Sequence, residues 1–243
     1  MKEEVILWDK NNFEDGLKVY TDGSGQQGMI GVAAVLYVNS IKKDELYYQL
    51  GTDRQHTVFE GELVAILMGL HLARDWLDKY PAIDICTDNQ ATIKSIGNSH
   101  SQPVQYIIEE IRFTIKQLFS TEQVERCCNR IIGRQTSLRL TWVAGHEGST
   151  GNEAVDVLAK AATEFSSSGR DLLPDRLKNT LPNSVVASKQ DARQITKLSF
   201  KKWWKQSKGY RRVGAIDPSL PLKNFILNTG DLTFNQTSIL TQL

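Results

Sequence analysis

The stretch LKVYTDGSG at residues 17–25 constrains the fold of this chain more than any other part of its sequence. Its apolar residues are typical of a pleated, largely buried strand. Gly23 and Gly25 allow the backbone to turn directly after that strand. Asp22 is therefore predicted to lie at a strand end. Because an aspartate in that position often only forms a turn, a functional role depends on which other residues meet it there.

Two further short strands are predicted at residues 30–38 and 45–50, with glycine-rich or charged turns between them. Three short strands in succession are typical of an antiparallel meander. The folded part of the chain is thus expected to begin with three neighbouring strands.

A helix is predicted next, because apolar residues recur at helical spacing over residues 59–77. Thr57 and Glu60 have the spacing of a capping box at its start. The run AIDICT at residues 82–87 is typical of a buried strand, and it ends at Asp88. Strand, helix and strand in this order predict a parallel pairing through a right-handed crossover, so we expect a mixed sheet.

Three more helices and a fifth strand complete the predicted body. The helices cover residues 90–96, 103–119 and 152–165, and the strand covers residues 138–143. Thr150 and Glu153 fit a second capping box. Serines and a glycine at residues 166–169 end the helical periodicity, so we place a domain boundary there. The predicted parts are a polar leader (1–16), a domain (17–166), a linker (167–187) and a mostly helical basic extension (188–243).

The composition favours a globular, intracellular protein. A chain of 243 residues with 40% hydrophobic content can bury a sizeable core. The first ten residues contain only a four-residue apolar run, too short for a signal peptide, and no stretch approaches membrane-spanning length. The three cysteines form no C-x-x-C pair, so we expect neither a disulfide framework nor a structural zinc site. These features predict an intracellular location without distinguishing nucleus from cytoplasm.

Charge is divided unevenly along the chain. Residues 188–223 carry ten Lys and Arg against two Asp, a net charge of +8, and residues 224–243 carry only one charged residue, Asp231. The overall charge of +1 therefore leaves 1 − 8 + 1 = −6 for residues 1–187. Basic residues recur at every fourth position: Lys189, Arg193, Lys197, Lys201 and Lys205. On a helix they would form a slowly turning stripe, for which nucleic acid is the first candidate partner. The alternative is an amphipathic helix that packs Ile195, Leu198 and Trp203 on the body.

Asp22 and Asp88 are predicted to end two adjacent parallel strands, which would bring their carboxylates within a few ångströms of each other. Two unpaired carboxylates at that distance repel strongly. Ligation by oxygen atoms alone selects hard cations such as Mg²⁺ or Mn²⁺. The alternative for Asp88 is that it caps the following helix, although Asn89 could serve that purpose as well.

Two glutamates compete for the role of a third carboxylate. Glu60 already has a structural role as the reciprocal partner in the capping box. Glu62 lies on the flank of the helix that carries Ala65, Gly69 and Ala73, and these small residues would let the helix approach the sheet closely. We therefore favour Glu62, with a solvated glutamate at the edge of the apolar stripe as the alternative.

A fourth candidate is Asp156, in the second turn of the last helix of the body. It lies beside the buried face of that helix, and its alternative role is only to keep the surface soluble. His146 stands in the preceding loop between Gly145 and Gly148, which suggests a mobile imidazole. Its near-neutral pKa would suit proton transfer, although a loop histidine is more often merely exposed.

Four motifs together resemble the type I ribonuclease H domain, and they occur in that family's order. They are TDGS at 21–24, GEL at 61–63, TDNQ at 87–90 and GHEGSTGNEAVD at 145–156. The resemblance covers about residues 17–165. The phrase WVAGHEGSTGNEAVDVLAKAA at residues 142–162 is most similar to ribonuclease H domains in the polyproteins of fungal LINE-type, non-LTR retrotransposons.

The resemblance implies an α/β fold of the ribonuclease H type. In this fold a five-stranded mixed sheet, with three antiparallel strands followed by two parallel ones, is flanked by helices. The implied metal-binding residues are Asp22, Glu62, Asp88 and Asp156, with His146 as the catalytic loop histidine. Thr57 and Gln90 would contact the nucleic acid, and we add Lys197, Lys201 and Lys205 of the basic stripe to these contacts.

The implied reaction is endonucleolytic cleavage of the RNA strand of an RNA–DNA hybrid by two Mg²⁺ ions, for which Mn²⁺ can substitute. The implied partners are the hybrid and other domains of a polyprotein, such as reverse transcriptase, but not a membrane. Two alternatives remain open: an inactive nucleic-acid-binding module of the same fold, and another ribonuclease H-like nuclease such as an integrase or transposase. The intact carboxylate quartet argues against the first, and the loop HEGSTGNEAVD argues against the second.

Overall fold

A computed structural model describes residues 16–80, 82–98, 104–118, 130–133, 136–145, 149–164, 167–208, 210 and 233. The chain divides into two compact units, residues 1–188 and 189–243. The first unit contains a mixed β-sheet and the helices that cover it. His146 and its neighbours Glu147 and Gly148 lie outside the described residues.

The described strands form one sheet in the order β3-β2-β1-β4-β6-β5. The first three pair antiparallel, β1 and β4 as well as β4 and β6 pair parallel, and β5 pairs antiparallel with β6. The strands are β1 (Leu17–Gln26), β2 (Met29–Val38), β3 (Ile41–Thr52), β4 (Ala82–Thr87), β5 (Arg130–Gly133) and β6 (Thr136–Trp142). This topology confirms the predicted fold class.

Strand β5 was absent from the sequence-based prediction. It is only four residues long, RIIG, and such a short run has no alternation of apolar and polar residues that could indicate a strand. Its pairing with β6 extends the five predicted strands by one at the sheet edge.

Five α-helices are described: α1 (Val58–Ala73), α2 (Gln90–Gly97), α3 (Gln105–Leu118), α4 (Thr150–Ala162) and α5 (Val185–Gln206). The capping box of Thr57 and Glu60 at the start of α1 is confirmed. The capping box predicted for α4 is wrong: Ser149 is the N-cap, without a side-chain cap hydrogen bond, and Thr150 is already helical. None of the helices in the described ranges combines the length and apolar composition needed to cross a membrane.

Helix α1 packs on one face of the sheet at very short range because glycines line the contact. A Cβ at Gly69 would lie 2.9 Å from Cγ2 of Thr21, and one at Gly23 would lie 2.6 Å from the backbone nitrogen of Glu62. Only glycine allows two backbones to approach this closely. The main apolar core, including the fully buried Leu63, lies around this contact.

Helix α4 covers the opposite face of the sheet. Val155 and Ala159 pack in a second apolar cluster with Ala33 and Val35 of β2. A Cβ at Gly31 of β2 would lie 2.2 Å from the carbonyl oxygen of Ala159, so the helix crosses the strand directly over this glycine. The sheet is therefore enclosed between α1 and α4 next to Asp22, at Gly23 of β1 and Gly31 of β2.

Residues 167–184 pack along the first unit with short 3₁₀ turns at Arg170–Leu172 and Asp175–Lys178. Ser168 makes two hydrogen bonds to the backbone of Tyr47 in β3. The N–H of Ser168 donates to the Tyr47 carbonyl, and the hydroxyl of Ser168 accepts from the Tyr47 N–H. This covers part of an otherwise open sheet edge. Three leucines of the segment are buried in the main core: Leu173, Leu177 and Leu181.

Candidate metal centre

Asp22 and Asp88 meet because their strands are in register. The last parallel pair between β1 and β4 joins Thr21 to Thr87, and each threonine is followed by one of the two aspartates. The buried hydroxyl of Thr21 donates to the carbonyl of Cys86 at 3.1 Å, which holds the two strands together at this point. The sheet thereby delivers both carboxylates to the same edge. The prediction that Asp22 ends its strand is wrong: β1 continues to Gln26 in its pairing with β2, and the turn is formed by Gln27 and Gly28.

Asn89, and not Asp88, caps helix α2. Its Oδ1 accepts hydrogen bonds from the backbone N–H groups of Ala91 and Thr92, at 3.0 and 3.4 Å. The alternative interpretation of Asp88 as the N-cap is therefore wrong. One carboxylate oxygen of Asp88 belongs to the cluster described below, and its backbone carbonyl accepts a hydrogen bond from Nε1 of Trp142 at 2.9 Å.

Glu62 and Glu60 lie in different surroundings although they are only two residues apart on α1. Glu60 is fully buried, and its Oε2 accepts from the backbone N–H of Thr57 at 2.8 Å. Glu62 is 5% exposed and points to the two aspartates, next to the contact with Gly23. The structure therefore brings Glu62 to the cluster and keeps Glu60 in the capping box.

The three carboxylates are arranged as cation ligands. One oxygen from each of Asp22, Glu62 and Asp88 lies within 4.8 Å of the other two. Among the described residues, Oδ2 of Asp22 and Oε2 of Glu62 are buried without a hydrogen-bond partner. Buried polar atoms normally have a partner, and carboxylate oxygens are the ligands that Mg²⁺ and Ca²⁺ prefer. The donor set thus fits a hard divalent cation.

The pKa values of Asp22 and Glu62 show that the ionised form of the cluster is unfavourable without a cation. Burial, followed by the charges of Asp88 and Asp156, raises the pKa of Asp22 to about 6. Burial, followed by the charges of Asp22 and Asp88, raises the pKa of Glu62 to about 9. Both shifts disfavour the charged form, so a bound cation would compensate for the desolvation and the mutual repulsion.

Asp156 is the fourth carboxylate near this cluster, and its charge is one cause of the raised pKa of Asp22. Sequence reasoning missed its partner. Nζ of Lys160, one turn later on α4, lies 2.5 Å from Oδ2 of Asp156. The Asp-x-x-x-Lys spacing was the available signal, because residues four apart on a helix face the same side.

Two of the other residues singled out from the sequence lie at the starts of helices, and a third lies outside the described residues. Thr57 is the N-cap of α1, Gln90 is the first residue of α2, and His146 lies outside the described residues. The three proposed basic contacts are exposed side chains of α5 within the second unit: Lys197, Lys201 and Lys205.

Comparison with curated proteins finds no match. Solved structures that match this chain include RNase H1 from the archaeon Halobacterium salinarum, with 19% identity, a TM-score of 0.43, and coverage of 61% of this chain and 97% of that one. The N-terminal RNase H domain of a Mycobacterium tuberculosis protein, fused to maltose-binding protein, has 16% identity, a TM-score of 0.46, and coverage of 61% and 93%. LC11-RNase H1 in complex with an RNA/DNA hybrid has 15% identity, a TM-score of 0.44, and coverage of 61% and 96%. The RNase H family profile matches residues 14–164, which is more than half of the sequence, and the chain therefore belongs to the RNase H family.

Proposed function

We propose that this protein is an endoribonuclease that hydrolyses the RNA strand of RNA–DNA hybrids and leaves 5′-phosphate and 3′-hydroxyl ends. The observation that carries the proposal is the convergence of Asp22, Glu62 and Asp88 within 4.8 Å in a chain of the RNase H family. The two buried oxygen atoms without a partner support a role in cation binding rather than in structure.

The proposed ligands of a pair of Mg²⁺ ions are the three clustered carboxylates together with Asp156, and Mn²⁺ would substitute. When bound, the ions supply charge stabilisation for an in-line displacement at the scissile phosphodiester. The protein contributes by holding the ligands in place. Asp22 is 7% exposed and Glu62 is 5% exposed, so their oxygen atoms occupy defined positions before substrate arrives.

Other residues are assigned to proton transfer and substrate contact. His146, in its glycine-flanked loop, would accept or donate protons during turnover and product release. Thr57 and Gln90, at the starts of α1 and α2, would contact the nucleic-acid backbone. Recognition of backbone shape and of the 2′-hydroxyl would distinguish the RNA strand from DNA without contacts to the bases.

We also propose that the domain is part of a retrotransposon polyprotein and that its partners include other domains of that polyprotein, such as a reverse transcriptase. The proposal rests on the resemblance of residues 142–162 to the ribonuclease H domains of such polyproteins. Removal of RNA from a newly made hybrid is the reaction that would connect the two activities.

A cleavage assay on an end-labelled RNA–DNA hybrid with Mg²⁺ tests the proposed activity. Duplex DNA and single-stranded RNA serve as substrate controls, and Asp88→Asn controls for contaminating nucleases. Cleavage of the hybrid alone supports the proposal. Binding of the hybrid without cleavage would show an inactive module, and cleavage of duplex DNA would show a different nuclease; either result overturns it.

A further inference from the structure

We propose that the basic face of α5 is a binding surface for the phosphate backbone of nucleic acid, which anchors the hybrid while the carboxylate cluster acts on it. The inference rests on the proposed function and names a second contact for the same substrate. The basic face is defined by five residues: Lys189, Arg193, Lys197, Lys201 and Lys205.

The geometry of α5 makes these residues one continuous surface. The helix is 22 residues long, from Val185 to Gln206, and all five basic side chains of this face are exposed. Each step of four residues rises about 6 Å and turns about 40° around the axis. The five charges therefore extend for about 24 Å and wind around less than half of the helix. A stripe of this kind can follow a row of phosphates.

Aromatic side chains lie among the charges, as is typical of nucleic-acid-binding surfaces. Trp203 is 59% exposed, and its ring lies 5.5 Å from that of Phe200. Leu198 is 66% exposed, so these apolar groups on α5 are not core residues. An exposed tryptophan beside Lys202 and Lys205 offers a planar surface next to positive charge. This combination favours nucleic acid over a purely acidic protein partner.

The charge distribution indicates why a second contact is needed. Residues 1–187 carry a net charge of −6, and the site itself consists of carboxylates. Phosphate contacts supply much of the affinity of proteins for nucleic acid, and an acidic body repels a polyanion at long range. The basic face provides the missing attraction.

The start of α5 and the segment before it contain buried residues, and this limits how the basic face can be tested. Ala187 is fully buried, and the backbone N–H of Ser184 donates to the carbonyl of Gln55 at 2.7 Å. Leu173, Leu177 and Leu181 belong to the main core. Truncation after residue 165 would therefore remove core side chains, so substitutions on the intact chain are the appropriate test.

The test compares two triple variants of the full chain. The first is Lys197→Gln with Lys201→Gln and Lys205→Gln. The matched control is Lys43→Gln with Lys79→Gln and Lys116→Gln, which changes the net charge equally at exposed sites of the first unit. Fluorescence polarisation without divalent metal measures the Kd for a labelled hybrid over a series of salt concentrations, and anionic vesicles serve as a second ligand.

The α5 variant should bind the hybrid on the order of tenfold more weakly than the control. The slope of log K against the logarithm of the salt concentration should also be smaller by about 2 to 3, because each phosphate contact contributes about 0.7 to 0.9 to that slope. In cleavage assays KM should rise while kcat stays within about twofold. Parallel salt slopes for the two variants would overturn the inference. Loss of vesicle binding with unchanged hybrid binding would also overturn it, in favour of a membrane contact. Binding is measured without cleavage, so an inactive wild type would count against the proposed function and not against this surface.

Discussion

Nζ of Lys160 lies 2.5 Å from Oδ2 of Asp156, one turn apart on helix α4. The charge of Asp156 also raises the pKa of Asp22, so this ion pair borders the carboxylate cluster. The hydrogen bond to Asp156 in turn raises the pKa of Lys160 and keeps its charge in place. A metal ion that takes Asp156 as a ligand must therefore compete with an ammonium group that belongs to the protein.

Replacing Lys160 by Gln should strengthen metal binding. The variant removes both a competitor for Asp156 and a like charge next to the incoming cation, and because the pair is partly exposed the gain should be about two- to fivefold. Calorimetric titration with Mg²⁺ in the absence of nucleic acid measures it, with Lys116→Gln as the control. Weaker binding in the Lys160 variant would instead mean that the ion pair preorganises Asp156.

Replacing Asp88 by Asn should abolish cleavage and leave the fold intact. The substitution removes a proposed ligand, and it also removes one charge from a crowded cluster. We therefore expect the melting temperature without metal to be equal to or higher than that of the wild type. Circular dichroism and a hybrid cleavage assay measure the two effects. Turnover close to that of the wild type would refute the assignment of Asp88.

Glu62→Gln and Glu60→Gln should have separate effects. Glu62→Gln should lower activity by orders of magnitude with little change in stability, because it alters only the cluster. Glu60→Gln should retain activity but cost about 1 kcal/mol of stability, because it weakens the capping box of α1. Urea denaturation and steady-state kinetics on both variants provide the measurement. The reverse pattern, with Glu60→Gln inactive, would contradict the placement of Glu62 at the site.

Stability without metal should fall as the pH rises from about 4 to about 9. The pKa of Asp22 is about 6 in the folded chain against 3.8 ordinarily, and that of Glu62 is about 9 against 4.5. The folded state therefore binds more protons than the unfolded state in this window, so the stabilisation present at low pH is lost as each group ionises. The lowered pKa of His56 acts in the opposite direction below pH 6.5.

Melting curves in EDTA between pH 5 and pH 9 measure this dependence. Glu62→Gln should flatten the decline above pH 6, and Mg²⁺ should reduce it in the wild type because a cation stabilises the ionised carboxylates. The contribution of His56 is common to both proteins and cancels in the comparison. An equal decline in the wild type and in Glu62→Gln would exclude Glu62 as its source.

His146→Ala should slow turnover without eliminating it. The loop histidine is assigned to proton transfer or product release, and water can replace it at a lower rate. Single-turnover and steady-state rates on the hybrid separate the two roles. If the variant folds normally and shows no turnover at all, His146 is essential and the assignment of an accessory role is wrong.

Much of the fold follows from local sequence patterns. The apolar run before Asp22, the buried run before Asp88 and the capping box of Thr57 and Glu60 each depend on residues close together in the chain. Strand alternation, helical periodicity and turn residues are properties of such short windows. The order of these elements was enough to predict a mixed sheet that brings the two aspartates together, although β1 continues past Asp22 to Gln26. Strand β5 was not predicted, because four residues are too few to show an alternation of apolar and polar side chains.

The arrangement of the site was decided only by the tertiary structure. The small residues on the flank of the helix favoured Glu62 over Glu60, but the distance of Glu62 from the aspartates was set by the close approach of α1 to Gly23. The structure also decided that Asn89, and not Asp88, is the N-cap of α2. These outcomes depend on distances of a few ångströms between elements distant in sequence, which are set by strand register and by which backbones can come into contact. No pattern along the chain encodes such distances.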